Sequence, residues 1–207
     1  MASPLNRSVK NILHKKISSN KELQLKTRLF IEKQFKIAHG KLMADFDSHP
    51  VTRELDAGSS SSNITGTLQS GNLFGFIGFN EGTNPTSQIR NLLNSTNILI
   101  KHRKMSSFGF IWTYMVTSPS MRDLYKITPM PWATGASWLK ELEGRGIPNL
   151  GQYMYKTLKS SRSQAGFQNA NLPAGGRVRI SYIKELLQDF ENNLNSIQAS
   201  RVSRGLF

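Results

Sequence analysis

Apolar residues recur at helical spacing in the first quarter of the chain, where Ile31, Phe35, Ala38, Leu42 and Phe46 follow at steps of 4, 3, 4 and 4. This rhythm predicts one helix from about Lys21 to Phe46 with all five on a single face and Lys26, Lys33, Lys36 and Lys41 elsewhere on the cylinder. His49-Pro50 ends it, because proline pushes the preceding residue out of the α region. Ala57, Gly58, four serines and Asn63 have nothing to bury and read as a flexible loop. The run Leu73-Phe74-Gly75-Phe76-Ile77-Gly78-Phe79 reads as a β-prone apolar strand whose glycines admit a bulge or another backbone. Pro85 starts a short helix reaching Ser95, with Ile89, Leu92 and Leu93 on one side.

In the second half, Asn97 to Arg103 and Ser107 to Thr117 predict a β-hairpin around a polar turn at Lys104-Met105-Ser106. Phe108, Phe110, Trp112, Tyr114 and Val116 alternate along the second strand, and beside amphipathic helices that aromatic face reads as the core side of the sheet. A short helix from Ala136 to Glu143 closes at Gly144, and another after Pro148 carries Leu150, Tyr153, Met154 and Leu158. Residues 160–176 form a long polar loop, and Arg177 to Ile180 a brief strand. Ser181 then caps a last helix that buries Ile183, Leu186, Leu187, Phe190, Leu194 and Ile197. The expected fold class is α+β: a small antiparallel sheet packed against a long N-terminal helix and a C-terminal helix, with extended arms and loops. It divides into a basic N-terminal arm (1–20), one structural domain (21–200) and a C-terminal tail (201–207).

Composition narrows the chemistry. The 207 residues include no cysteine, which removes disulfides, thiolate zinc sites, iron–sulfur clusters and cysteine nucleophiles. No apolar run approaches the roughly 18 residues of a membrane span, so no membrane partner is expected. The net charge of +14 is uneven: +7 over residues 1–53, −2 over 54–100, +10 over 101–184 and −1 over 185–207. Basic surface of this kind attracts nucleic-acid phosphates, anionic membrane or acidic protein. The first 21 residues hold five basic side chains and no acid, a composition shared by nucleic-acid arms and mitochondrial targeting peptides.

Catalytic constellations are hard to find. His14, His39, His49 and His102 stand apart at no metal-ligand spacing and read as surface or capping residues. Gly135-Ala136-Ser137 begins like a nucleophile elbow, but Leu139 occupies the place of the second glycine. Gly71, Gly75 and Gly78 match neither a dinucleotide fingerprint nor a P-loop. Glu141 and Glu143, two apart on a helix, point to different sides and do not make an acid/base pair. No enzymatic activity and no cofactor are expected. The candidate contact residues for nucleic acid or a partner are Arg7, Lys10, Lys15 and Lys16 in the arm, Lys101, Arg103 and Lys104 beside the aromatic strand, and the apolar Leu206 and Phe207. The last two either dock into a neighbour or fold back onto their own domain.

Several short motifs stand in a suggestive order: His49-Pro50-Val51-Thr52 after the long helix, Thr65-Gly66-Thr67-Leu68, the glycine-punctuated apolar run, Glu81-Gly82-Thr83, and the helix begun by Pro85. Their order over the first half of the chain resembles the tail-completion or head–tail joining (neck) proteins of tailed bacteriophages. The resemblance implies a non-enzymatic virion subunit, assembled in the host cytoplasm, whose long helix and sheet build a ring of commonly six copies at the neck or tail. Its partners would be copies of itself, other neck, tail or portal-associated proteins, and DNA in a central channel. An alternative is a basic RNA- or DNA-binding module that uses the aromatic strand and the Lys/Arg patches. A mitochondrial ribosomal or matrix protein is a third, suggested only by the acid-free N-terminus.

Overall fold

A computed structural model describes residues 20–68, 71–106, 109–144, 146 and 180–203, together with residues 9, 12 and 16; side chains 100–112 and 197–203 fall outside the description. The chain is mixed helix and sheet, as its patterning predicts. Helix α1 spans Lys21–Ser48, and Asn20 caps it by accepting from the Glu22 and Leu23 amides. Its buried residues are Phe35, Ala38, Leu42 and Phe46, four of the five positions of the apolar stripe. The fifth, Ile31, is only half-buried.

His49-Pro50 ends α1 but does not lead into a turn. Proline, which lacks the amide that a first helical turn leaves unpaired anyway, starts a second helix, α2 (Pro50–Asp56). The serine-rich stretch is likewise not loose: Gly58–Ser60 is one 3₁₀ turn. The side-chain amide of Asn72 donates to the Ser59 and Ser61 carbonyls at 3.0 and 2.8 Å, tying the loop down from a distance in sequence.

The expected strand at 73–79 is a helix, α3 (Leu73–Ile77). Local capping overrides its β-prone composition. The Asn72 side chain accepts from the Gly75 amide, and Gly78 stops the helix in the left-handed region at φ +87°. The Phe79 amide reaches back to the Phe74 carbonyl and that of Gly78 to the Gly75 carbonyl, with the Phe74 and Phe79 rings 5.4 Å apart. This is a Schellman stop with its accompanying apolar contact. Helix α4 (Ser87–Asn94) follows, with Ile89 and Leu93 buried.

Strands β1 (Asn97–Ser106) and β2 (Gly109–Thr117) pair antiparallel as a two-stranded ribbon. β1 extends past Arg103, so Lys104 lies within the strand and not in a turn. Lys101 is the extra residue where the register shifts between Ile100 and His102, a bulge that increases local twist. The ribbon meets the core through Ile98 and Val116, whereas Leu99 and Met115, paired opposite each other, are exposed. Tyr114 is half-buried; the remaining aromatic side chains expected on the core face lie outside the described residues.

Helix α5 (Met121–Lys126) has no counterpart in the apolar pattern and is set by a Ser120/Asp123 capping pair, the Asp123 amide donating to the Ser120 hydroxyl. Helix α6 (Trp138–Glu143) buries Trp138, Leu139 and Leu142. Its N-cap, Ser137, is buried and bonded to the Thr128 hydroxyl at 2.8 Å, so the elbow-like serine serves as a cap. The expected helix after Pro148 and the 160–176 loop lie outside the described residues, as does the 177–180 strand except for Ile180, whose amide donates to the Leu142 carbonyl.

The last helix, α7 (Ile183–Ser203), lies antiparallel along α1. Phe46 stacks on Tyr182 at one end of the pair, and Phe35 meets Phe190 edge-on farther along. The carboxylate holding the start of α7 comes from α6, where Glu143 accepts from the Lys184 amide at 2.9 Å; the expected cap was Ser181. Burial raises the Glu143 pKa against the pull of these backbone amides.

Candidate interaction surface

Two of the short motifs in the first half, the Thr65-Gly66 turn and the start of the apolar run at Leu73, meet at one buried polar junction, whereas Glu81-Gly82-Thr83 is exposed and its Thr83 bonds to Asn80. Glu54 of α2 is fully buried, and its carboxylate takes the Thr65 amide on one oxygen and the Leu73 amide on the other, both at 2.7 Å. One side chain therefore fastens the Thr65-Gly66 turn and the first residue of α3 to α2. Two charge-assisted bonds offset much of what it costs to bury the carboxylate. Asp56, two residues further on, accepts from the Thr86 hydroxyl and from Arg90 of α4 at 2.9 Å, and Arg90 also bridges to Asp47 of α1 at 3.0 Å. Bonding to Asp56 and Asp47 raises the Arg90 pKa, and its guanidinium lies 5.3 Å over the Phe46 ring. All four acceptor oxygens are thus engaged with the protein's own donors, so the junction braces loops.

His49 hinges α1 to α2. Its Nδ1 accepts from the Val51 amide at 3.2 Å, and its ring sits 4.7 Å from that of Tyr182, whose hydroxyl bonds Thr52 at 2.7 Å. The cap needs Nδ1 unprotonated. Burial lowers the His49 pKa, with Glu185 pulling the other way. A depressed folded pKa contributes stability that is present above the unfolded value of about 6.5 and is lost as pH falls through the folded value. We expect urea unfolding to register a loss of about 1 kcal/mol between pH 7 and pH 5, the size of one N-cap. His49→Asn keeps a capping acceptor and removes the titration, so the variant should not share the wild-type loss and its stability relative to wild type should rise by about 1 kcal/mol between pH 7 and pH 5; a pH-independent difference would exclude His49 as the source of the loss.

The outer surface of α1 contrasts with this satisfied interior. Leu29 and Ile37 are 55% and 58% exposed, and Leu25 and Phe30 are exposed as well. Leu29, Glu32, Lys33, Lys36 and Ile37 line a shallow depression of about 380 Å³. Comparison with protein-family models, curated proteins and solved structures gave no match to this chain. The geometry of the molecule itself therefore carries the functional reading.

Of the residues expected to make contacts, Lys16 is helical and exposed, whereas Arg7, Lys10, Lys15, Leu206 and Phe207 lie outside the described residues. Lys101, Arg103 and Lys104 share β1, with Arg103 opposite Trp112 and Lys104 opposite Ile111 in the register. Their side chains are not described. Leu29 and Ile37 lie outside the periodic stripe of α1, although an apolar residue on the polar side of an amphipathic helix is a readable signal. No described helix is long and apolar enough to cross a membrane. Among the described residues no three His, Asp or Glu side chains form a metal-binding group.

Proposed function

We propose that the protein is a non-enzymatic virion subunit of a tailed bacteriophage, acting at the neck or in tail completion, and that it works by forming a ring of identical copies with DNA or acidic neighbours nearby. The observation that carries this reading is the division of labour in the first half of the chain. Several residues that carry the family resemblance are spent on internal bracing: Val51 and Thr52 are buried and Thr65 and Leu73 are held by Glu54, while Glu81-Gly82-Thr83 stays an exposed turn. The long helix they support turns large apolar side chains outward. A braced frame with an apolar helix face suits assembly into symmetric interfaces.

Two measurements test it. Mass photometry of the purified full chain should give one discrete multimer in place of a continuum of sizes. Antibodies against the chain should label the head–tail junction of intact particles. A chain that stays monomeric at all concentrations and is absent from particles would overturn the reading.

A further inference from the structure

The α1–α7 pair is a two-helix layer whose outward sides carry opposite charge. α7 covers the inner face of α1 through the Phe35–Phe190 and Phe46–Tyr182 contacts, so the exposed side of α1 looks away from α7. On that side, Leu29 and Ile37 stand among Lys33 and Lys36, with Glu32 at the edge of the same depression and paired to Arg28, which among the described residues leaves the lysines as its unpaired charges. On α7 the buried residues Ile183, Leu186 and Phe190 face α1, and the other side presents Glu185, Asp189, Asn192 and Ser196 at steps of 4, 3 and 4, all exposed, with Glu185 at the hinge end also within electrostatic reach of His49. None of the ion pairs among the described residues uses Lys33, Lys36, Glu185 or Asp189.

We infer that the basic outer face of α1 docks on the acidic outer face of α7 in a second copy of this chain, head to tail. The occupant is argued from charge complementarity: both halves of the contact are present once on every copy, on opposite flanks of the same layer. Such a contact is heterologous, each copy offering one basic and one acidic face, and repeating it yields a closed ring when the rotation between copies closes and a filament when it does not. The lysine stems cover part of Leu29 and Ile37 while their ammonium groups reach the carboxylates, and the charges set orientation and register. This inference rests on the ring reading and names the surfaces that would build it.

Charge reversal tests it on the full chain. Lys33→Glu/Lys36→Glu makes both faces acidic, and Glu185→Lys/Asp189→Lys makes both basic. Each double variant alone should lose assembly at least tenfold in apparent Kd. A 1:1 mixture of the two should regain it, since acidic and basic copies then alternate. Wild-type assembly should weaken steeply with salt. Recovery in the mixture also shows that both variants are folded. If wild type assembles and either variant assembles equally well, or if the mixture fails while both variants keep the wild-type unfolding midpoint, this interface is wrong and the ring reading stands. A wild type that never assembles removes both. Binding of an unrelated acidic peptide to α1 without self-assembly would overturn the second copy as occupant.

Discussion

Replacing Glu54 with alanine is expected to destabilise the protein by about 2–4 kcal/mol, measured by urea unfolding, since hydrogen bonds to a charged group are worth about 1.5–3 kcal/mol each. The carboxylate receives the Thr65 and Leu73 amides at 2.7 Å in a fully buried setting. Alanine leaves both donors facing a void. Part of that loss is returned because the variant no longer buries a charge, which keeps the figure below the sum of two such bonds. Glu54→Gln keeps one oxygen acceptor and points an NH₂ group at the other amide, so it should fall between alanine and wild type. The damage should be local before it is global. The Thr65 turn and the start of α3 lose their common anchor, so limited proteolysis should cut first between residues 57 and 72, in native buffer, while α1 stays intact. A glutamate acting in chemistry would give a different result: Glu54→Gln as stable as wild type.

The contrast between what periodicity predicts and what caps decide explains which parts of the fold were legible in the sequence. α1 and α7 are long enough for a 3.6-residue rhythm to repeat several times, and their buried residues coincide with it. α3 has five residues, fewer than two turns, and its helical state depends on Asn72 before it and Gly78 after it. An apolar run that short has no period to read, so composition alone favoured a strand. α5 was missed for the same reason and was written instead in Ser120 and Asp123. The serine loop is held by Asn72, more than ten residues downstream, a contact that no local pattern contains. Glu54 was equally invisible: a single acid after Pro-Val-Thr-Arg, past the expected end of the helix, carries no signal of burial until the turn at Thr65 folds over it. The candidate surface was half legible. The lysines of α1 were counted as the polar side of the helix, yet the leucine and isoleucine among them are what turn a solvated face into a docking face.

Phe46→Ala should be the other severe substitution, costing about 3–5 kcal/mol by the usual toll of deleting a buried phenylalanine. Phe46 is fully buried at the point where three parts of the molecule meet. Its ring stacks on Tyr182 at a centroid distance of 6.1 Å, and the Arg90 guanidinium, itself held by Asp47 and Asp56, lies over it. Truncation opens a cavity between α1 and α7 and takes away the aromatic surface beneath Arg90, a contact worth about 0.5–1 kcal/mol at an exposed site. Phe46→Leu fills most of the space without the ring and should cost less than half as much in the same denaturant titration. A loss below 1 kcal/mol for Phe46→Ala would mean that α7 is not held at this end by α1. The consequence would reach the surface as well, because the opposite charge of the two outer faces is useful for assembly only while the Phe46–Tyr182 stack keeps the helices back to back. Phe46→Ala should therefore weaken self-assembly with Lys33, Lys36, Glu185 and Asp189 all in place, and Phe46→Leu should recover it in step with stability.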